Sequence, residues 1–505
     1  IANVKTSSTD KDASSAFLKY ADFSHYADYF NGMEDENIVQ AIPNAKASGW
    51  MEENIPLFEC PQHNFEEMYY YRWWSIRKHI KETPVGYGMT EFLVQRSYSD
   101  KYNLIACAIG HHIYESRWLH DPKYLDQIIH TWYRGNDGGP MKKMDKFSSW
   151  NADAVLARYM VDGDKDYLLD MKIDLETEYQ RWERTNRLKN GLYWQGDVQD
   201  GMEESISGGR KKKYARPTIN SYMYGNAKAL SCIGILSGDE GMAMKYGMKA
   251  DTLKNLVENE LWNTRHQFFE TMRTDSSANV REAIGYIPWY FNLPDTTQKY
   301  EIAWKEIMDE KGFSAPYGLT TAERRHPEFR TRGVGKCEWD GAIWPFASAQ
   351  TLTAMANFMN NYPQTVLSDS VYFRQMELYV ESQYHRGRPY IGEYLDEVTG
   401  YWLKGDQERS RYYNHSTFND LIITGLIGLR PRLDNTIEVN PLIPADKWDW
   451  FCLDNVLYHG HNLTILWDKN GDRYHCGKGL RIFVDGKEVG HTDTLTRIVC
   501  ENVLK

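Results

Sequence analysis

Several widespread functional signatures are missing from this 505-residue sequence. No GxGxxG motif follows a predicted strand and no GxxxxGKS/T motif occurs, so no nucleotide cofactor is indicated. The GxSxG and HExxH motifs are absent too, which removes the commonest serine-hydrolase and zinc-protease classes. The seven cysteines are scattered and form no CxxC pair, which a zinc ribbon or a thioredoxin-like site would require. We therefore predict neither a cofactor nor a metal site.

Excess positive charge and long apolar runs are missing as well. The 59 Lys and Arg residues are outnumbered by 70 Asp and Glu residues, which gives a formal net charge of −11. A chain that binds nucleic acid or an acidic membrane surface is expected to carry a basic stripe, so neither partner is predicted. The longest apolar stretches, such as residues 421–429, are far too short to cross a bilayer, so membrane insertion is not predicted.

Aromatic residues, in contrast, are abundant. The sequence has 17 Trp, 35 Tyr and 18 Phe, which together make up 14% of the residues. Aromatic rings with a polar tip suit stacking against sugar rings, although they also fill large cores. A carbohydrate partner is therefore the first expectation. The sequence begins at Ile1 with a polar run from Thr6 to Ser15, which is typical of export after loss of a signal peptide and predicts a periplasmic or secreted protein.

Residues 15–430 have a mainly helical pattern, with apolar residues three and four positions apart. Leu104, Cys107, His111 and Tyr114 form one such stripe. About 415 residues, at roughly 35 residues per helix and connection, make about a dozen helices. This number of helices with alternating long and short connections describes an (α/α)6 barrel, whose long loops would gather on one face. We therefore predict a mainly α fold in which residues 1–430 form an (α/α)6 barrel catalytic domain with an N-terminal extension.

The pattern changes after Arg430 and Pro431 to short segments rich in β-branched and aromatic residues. An Asp-Lys-Asn-Gly turn at residues 468–471 and an Asp-Gly turn at residues 485–486 separate these segments. A two-residue Asp-Gly turn is a strong hairpin signal. We predict that residues 431–505 form a small antiparallel, β-sandwich-like module packed against the barrel.

The first stretch that could carry catalytic chemistry is the loop at residues 191–205. It holds four carboxylates within eight residues, next to Trp194 and several glycines: Asp197, Asp200, Glu203 and Glu204. Cleavage of a glycosidic bond needs a proton for the leaving oxygen, and a carboxylic acid on a positioned loop can deliver it. A neighbouring aromatic ring would raise the pKa of that acid by excluding water. An acidic surface loop, in which Asp200 caps a helix, is the alternative.

Two further stretches have similar character. Glu393 lies between Gly392 and Tyr394 in a short β-like run, where a carboxylate could activate water. Trp339-Asp-Gly-Ala-Ile-Trp-Pro345 leads into a predicted helix from about Phe346 and has the composition of a sugar-binding platform. Core packing of the tryptophans and a satisfied polar residue at position 393 are the alternatives. About 190 residues separate Glu203 from Glu393, so the pair requires a fold that brings their loops to one face.

Taken together, these stretches resemble three segments of inverting (α/α)6-barrel glycosidases, namely glycoside hydrolase family 63 and the mannosylglycerate-hydrolase-like group. Gly201-Met-Glu-Glu-Ser205 is similar to their Gly-Met/Leu-Asp-Asx/Asp-Ser segment. The 339–345 stretch is similar to Tyr-Trp-Arg-Gly-Pro-Ile-Trp, and Gly392-Glu-Tyr-Leu-Asp-Glu-Val-Thr-Gly400 to Tyr-Glu-Tyr-Tyr-Asn-Pro-x-Thr-Gly. The order and approximate spacing agree over about residues 85–430.

The resemblance implies the roles of individual residues. The family's general acid falls on Glu203 and its general base on Glu393. Two residues depart from the family pattern: Glu203 replaces an Asp, which lengthens the acid by one methylene, and Asp340 replaces an Arg, which exchanges a cation for a carboxylate near the expected sugar site. The residues expected to bind the sugar are Trp194, Asp200, Trp339, Asp340, Trp344, Tyr394 and Trp402.

We therefore predict an inverting glycoside hydrolase that acts at chain ends on an α-linked oligosaccharide or glycoside. The exo action and the α linkage follow from the resemblance and not from any residue. A sugar epimerase or isomerase on the same barrel is one alternative, because such chemistry often uses paired histidines, here available at positions 111, 112, 326, 385 and 415. A non-catalytic glycan-binding protein is another.

Overall fold

The computed structural model describes residues 17–296 and 298–504. The first residue and the polar run from Thr6 to Ser15, on which the prediction of export rests, lie outside the described residues. The described chain is mainly helical and ends in an antiparallel sheet, which confirms the predicted fold class at this level. No helix of the described residues has the length and apolar character needed to span a membrane.

The α-helices vary from one turn to nearly six turns in length. Within the described residues they are α1 (Ser24–Asn31), α2 (Ala47–Asn54), α3 (His63–Arg77), α4 (Ile109–Ser116), α5 (Pro122–Arg134), α6 (Asn151–Asp162), α7 (Lys165–Asp170), α8 (Lys172–Asn186), α9 (Pro217–Ser237), α10 (Glu240–Leu256), α11 (Ile287–Tyr290), α12 (Gln298–Glu301), α13 (Pro345–Asn361), α14 (Asp369–Glu381) and α15 (Asn419–Leu421). A π-helical turn, Ile422–Leu426, directly continues α15.

Six of these helices pack side by side in a closed sequence. Helix α4 packs against α6, α6 against α9, α9 against α11, α11 against α13, α13 against α15, and α15 against α4. The remaining helices pack outside this ring, for example α8 and α10 on α9 and α14 on α13. The ring helices are accordingly the more apolar ones: α9 and α13 bury most of their residues, whereas α8 and α10 bury one face.

The strands fall into one larger sheet and several two-stranded pairs. They are β1 (Leu57–Glu59), β2 (Ile80–Thr83), β3 (Gly86–Met89), β4 (Trp194–Gln195), β5 (Tyr214–Ala215), β6 (Trp262–Asn263), β7 (Phe268–Phe269), β8 (Ser314–Ala315), β9 (Gly318–Leu319), β10 (Tyr384–His385), β11 (Arg388–Pro389), β12 (Ile437–Val439), β13 (Trp450–Tyr458), β14 (His461–Asp468), β15 (Gly479–Val484), β16 (Lys487–Thr492) and β17 (Ile498–Cys500). Several of the two-stranded pairs lie in connections that the sequence pattern describes only as long loops.

The larger sheet has the strand order β1-β13-β14-β15-β16, and all its neighbours are antiparallel. Its hairpin between β15 and β16 turns at Asp485 and Gly486, whose φ angles of 49° and 78° are both positive, as a turn of this type requires. Edge strand β1 comes from the N-terminal part of the chain and pairs Phe58 with Leu453. The sheet therefore draws on both predicted domains, and the division at residue 430 stays a prediction.

The ring helices are entered through long connections. The segments before α4, α6, α9, α13 and α15 each lead into the N-terminus of a ring helix. Helix α9 shows how such a start is specified: Arg216 precedes it in extended conformation and Pro217 occupies its first position, where a missing N–H costs no hydrogen bond. These five connections contain every residue that the sequence assigns to the site.

Candidate active site

The connections into the ring helices are joined to one another by hydrogen bonds. Ile343 and Leu395 exchange two backbone hydrogen bonds of 3.0 and 2.9 Å, which ties the connection before α13 to the one before α15. The backbone N–H of Ser148 donates to the carbonyl of Gln199 at 2.9 Å, which ties the connections before α6 and α9. Arg332 donates to the carbonyl of Ile206 at 2.7 Å and links the α13 connection to the loop of Glu203. The loops that lie far apart in sequence therefore meet in one region.

Glu203 lies in a tight turn, and the side chain of Cys107 packs against Gly201 of this turn. Gly201 has a φ of +73°, and a Cβ atom at that position would lie 2.4 Å from the Cys107 sulfur, so the turn requires glycine. Burial raises the pKa of Glu203 to about 7, and the negative charges of Glu393 and Asp197 act in the same direction. Arg210 acts in the opposite direction. A carboxyl group with this pKa holds a proton near neutral pH and can donate it.

Glu393 is buried, with 5% of its surface exposed. Its carboxylate lies 3.5 Å from the Lys404 ammonium and 3.3 Å from the Arg409 guanidinium. Its loop is held on both sides: Leu395 bridges to the α13 connection, and the N–H of Tyr413 donates to the carbonyl of Ile391 at 3.1 Å. The two cations balance the negative charge of this buried carboxylate.

The carboxyl groups of Glu203 and Glu393 lie within electrostatic range of each other, because the negative charge of Glu393 contributes to the raised pKa of Glu203. The structure thus brings together the two residues that the resemblance marks as acid and base, although 190 positions separate them in the sequence. Their catalytic roles, and the separation of roughly 6.5–9.5 Å that inversion requires, stay predictions.

Asp200 lies close to Glu203, and both of its carboxylate oxygens accept hydrogen bonds from other side chains. It is 2% exposed, its Oδ2 accepts from Arg216 Nε at 2.6 Å, and its Oδ1 accepts from the Ser148 hydroxyl at 2.7 Å. It is therefore neither a sugar ligand on an open surface nor a helix cap on an acidic surface loop. The ion pair fastens the turn of Glu203 to the start of helix α9.

This ion pair supports a prediction about stability. Asp200→Asn leaves the guanidinium of Arg216, whose side chain has no exposed surface, without its counter-charge. We expect a loss of about 3–5 kcal/mol in the free energy of unfolding, measured by urea denaturation. The matched control is Asp449→Asn in the exposed pair with Lys469, for which about 0–1 kcal/mol is expected. Equal losses in the two variants would contradict the structural role of Asp200.

Asp340 shapes the loop that precedes it. Its side chain is completely buried, and its Oδ2 accepts from the backbone N–H groups of Arg332 at 2.6 Å and Gly333 at 2.9 Å. Its Oδ1 has no hydrogen-bond partner among the described residues. One oxygen of Asp340 therefore holds the backbone, and binding of the sugar by this residue stays a prediction.

The predicted aromatic wall is largely a buried stack. Trp344 stacks on Trp339 with ring centroids 4.4 Å apart and on Tyr394 at 4.6 Å, with interplanar angles of 19° in both cases. None of the three has more than 3% of its surface exposed. The Trp402 ring is equally buried and lies beneath Gly392. Neighbouring rings cover both faces of Trp344, and the Trp402 ring supports Gly392 in the loop of Glu393. Sugar binding by Trp339, Trp344, Tyr394 and Trp402 stays a prediction.

Trp194 differs from the other predicted aromatic residues because it is only partly buried. It lies in β4, and the ammonium group of Lys213 is positioned 4.5 Å from its ring. Lys213 ends the basic run of residues 210–213, in which Arg210 pairs with Glu204 at 3.2 Å. The basic run therefore packs on the same loop that holds Glu203.

Several residues of the site have no distinctive sequence signal. Lys404 and Arg409 are single cations in a loop, and Glu91 is a single acid between Thr90 and Phe92. Glu91 is 5% exposed, and the charges of both Glu393 and Glu203 raise its pKa. Only the fold places these residues beside Glu203 and Glu393.

Of the histidines considered for a proton-transferring pair, three are buried. His111, His112 and His415 are buried, and burial lowers the pKa of all three, that of His112 to about 4. They are neutral at neutral pH and cannot serve as the acid of such a pair. His326 and His385 are partly exposed elsewhere.

Comparison with known proteins agrees with this class of site. Residues 101–416 match the sequence model of the mannosylglycerate hydrolase MGH1-like glycoside hydrolase domain. This match spans more than half of the chain, and the chain therefore belongs to the MGH1-like glycoside hydrolase family. Residues 429–491 match the C-terminal domain of glycosyl hydrolase family 65. The family resemblance expected from the three motifs is confirmed.

Solved structures show the same fold. The GH63 mannosylglycerate hydrolase from Thermus thermophilus superposes with a TM-score of 0.53 at 12% identity, over 70% of this chain and 99% of that one. The GH78 family rhamnosidase of Bacillus sp. GL1 has a TM-score of 0.58 at 10% identity, over 85% of this chain and 41% of that one. A protein named "Sialidase" is 95% identical, with a TM-score of 0.97 over the whole chain. The chain spans 46% of the length of that protein.

Proposed function

We propose that this chain hydrolyses a glycosidic bond with inversion, with Glu203 as the general acid and Glu393 as the general base, and that it removes α-linked sugars from chain ends. The supporting observation is the electrostatic contact between the two carboxyl groups, one with a pKa of about 7 and the other next to two cations. A raised pKa on one of two neighbouring carboxyl groups is typical of the acid in an acid–base pair.

In the proposed reaction, Glu203 transfers its proton to the glycosidic oxygen as the bond from this oxygen to the anomeric carbon breaks. Positive charge develops on the sugar, and a water molecule attacks its opposite face. Glu393 takes the proton that this water releases. At the end of the reaction Glu203 is ionised and Glu393 is protonated, and proton exchange with solvent restores both groups.

We infer that the six-helix ring is the inner layer of an (α/α)6 barrel. The ring closes from α15 back to α4, and the remaining long helices pack outside it. The connections into the ring helices carry Glu203 and Glu393, as the active-site face of such a barrel would require. The similarity of the chain's fold to the GH63 and GH78 structures supports this inference.

The substrate is best identified by a screen of 4-nitrophenyl glycosides and oligosaccharides with the product anomer followed by NMR. Mannosylglycerate and α-rhamnosides belong in the screen, because the structural relatives are named for them. We expect release of a terminal sugar from one α-linked class with inverted configuration. Tight retention of a glycan without any turnover would instead support a non-catalytic glycan-binding protein.

Cleavage of sialosides is a second candidate, favoured by the 95% identity to a protein named "Sialidase". The matched region is less than half of that protein, so its name does not assign the activity to this region. Sialidases use a tyrosine nucleophile. Tyr413 is the tyrosine whose hydroxyl contacts a carboxyl group of the site, and burial raises its pKa well above the usual value, which opposes this role. An aryl sialoside in the screen, hydrolysed by wild type and not by Tyr413→Phe, would favour this second candidate.

The pH profile should reveal the acid. Glu203 must be protonated to act, so kcat/KM is expected to fall tenfold per pH unit above a pKa of about 7. Because the positive charge of Arg210 lowers the pKa of Glu203, Arg210→Gln should move this alkaline limb to higher pH. Lys212→Gln, on the same loop, is the control and should leave the limb in place. A limb that moves to lower pH in Arg210→Gln would contradict the assignment.

A further inference from the structure

A third carboxyl group lies beside the proposed acid and base. Glu91 follows β3, on the connection that leads into α4, and 5% of its surface is exposed. The charges of Glu393 and Glu203 both act on it. The proposed mechanism does not use this group. Burial of a carboxyl group costs free energy unless its oxygens are hydrogen-bonded.

Glu91 is fixed to the chain segment that follows Glu393. Its Oε1 accepts a hydrogen bond from the Tyr413 hydroxyl at 2.7 Å, and its backbone carbonyl accepts from the N–H of Asn414 at 2.9 Å. The Asn414 amide also donates to the carbonyl of Thr90 at 3.1 Å. Two hydrogen bonds of Glu91 and one of the preceding Thr90 therefore hold the residue in position, while the second carboxyl oxygen takes part in none of them.

That second oxygen, Oε2, is buried and has no hydrogen-bond partner among the described residues. Buried polar atoms are almost always hydrogen-bonded, and an exception within a site indicates a group that binds there. Burial, reinforced by the charges of Glu393 and Glu203, raises the pKa of Glu91 to about 8, so the group is a neutral carboxylic acid at neutral pH. A neutral carboxylic acid can both donate and accept a hydrogen bond, as a sugar hydroxyl can.

We propose that Glu91 binds the substrate directly, with its unpartnered oxygen hydrogen-bonded to one hydroxyl of the sugar whose glycosidic bond is broken. This inference rests on the proposed function, because an acid and a base that act on one anomeric carbon must flank that sugar, and Glu91 lies close to both. The residue thereby determines which sugar is accepted: a sugar without that hydroxyl leaves the buried carboxyl group unpaired.

The test combines variants of Glu91 with monodeoxy derivatives of the 4-nitrophenyl glycoside that the screen identifies. For wild type, one deoxy position should lower kcat/KM by about 10- to 100-fold, the range expected for one buried hydrogen bond. Glu91→Ala should show a similar loss on the parent glycoside and no further loss at that deoxy position. Glu91→Gln keeps the shape and a donor, and should retain most of the activity. If the loss caused by Glu91→Ala and the loss caused by the deoxy substitution multiply at every deoxy position, the proposal is overturned.

A purely structural role of Glu91 is tested with Tyr413→Phe. This variant removes the Tyr413 hydroxyl that donates to Oε1 of Glu91 and leaves Oε2 unchanged. The loss of kcat/KM at the identified deoxy position should therefore be as large as in wild type. If Tyr413→Phe instead abolishes this sensitivity and lowers Tm as much as Glu91→Ala, Glu91 only supports the loop and the proposal is wrong.

Failure of the proposed function is distinguishable from failure of this inference. Full activity of Glu203→Gln and Glu393→Gln would remove the acid and base assignment, whereas the deoxy comparison needs only a sugar that binds. If no glycoside is hydrolysed, the same comparison is made by calorimetric titration of the parent glycosides and their deoxy derivatives. Equal affinities of wild type and Glu91→Ala for every glycoside that binds would then overturn the inference.

Discussion

Glu203→Gln is expected to lower kcat by about 10²- to 10⁴-fold on alkyl glycosides, the range that general acid catalysis usually contributes. The amide cannot protonate the leaving oxygen, and an alkoxide is a poor leaving group. On glycosides of strongly acidic phenols the loss should be much smaller, because these phenolates depart without a proton. The measurement is a series of leaving groups of increasing acidity, with kcat plotted against the pKa of the phenol or alcohol.

The neighbouring Glu204 offers a matched control for this experiment. Its carboxylate pairs with Arg210 at 3.2 Å and lies one residue from Glu203 in the same turn. Glu204→Gln is expected to keep kcat close to the wild-type value across the leaving-group series. If Glu203→Gln loses equal activity on every leaving group, Glu203 is not the proton donor.

Glu393→Gln should lower kcat by a similar factor of about 10²–10⁴ for all leaving groups alike, because activation of water is needed whichever group departs. The side chain of Gln fits the buried position but cannot accept a proton, and it leaves Lys404 and Arg409 without their counter-charge. Glu408→Gln, an exposed acid on the same loop, is the control and should leave kcat nearly unchanged.

The product of the wild-type reaction gives an independent test of the Glu393 assignment. If Glu393 activates water, NMR should detect the newly formed sugar with the anomeric configuration opposite to that of the substrate. A product of the same configuration would mean that a covalent intermediate forms, and Glu393 would then be a nucleophile or a bystander.

Much of the fold can be predicted from patterns of residues that lie close together in the sequence. Apolar spacing of three and four residues predicts the helical part, and Arg216-Pro217 and Trp344-Pro345 begin α9 and α13 where the sequence predicts helices. The Asp-Gly turn predicts the hairpin of β15 and β16 because few other residues adopt its backbone angles. Strand β1, however, pairs with β13 almost 400 residues later, and no local pattern can predict a partner at such a distance.

The residues of the site likewise differ in whether the sequence could reveal them. Glu203 and Glu393 could be found because each lies in a motif whose neighbours resemble those of known glycosidases. The burial of Trp344 and Trp402 could not be predicted, because the composition of a loop does not indicate whether a ring faces a ligand or supports the backbone. Glu91 has no motif at all, and only its surroundings in the fold distinguish it from other glutamates.

The sequence by itself determined the glycosidase family and the mainly helical fold class, and it predicted the two catalytic glutamates, since these depend on residue types in contiguous motifs. Only the tertiary structure decided that Asp200 is a structural ion pair, that the aromatic stack is buried, and that a third carboxyl group lies beside the acid and base. The physical reason is that burial and electrostatic interactions depend on the three-dimensional arrangement of the residues. A carboxyl group obtains its pKa and its partners from residues that folding brings near it, wherever they stand in the chain.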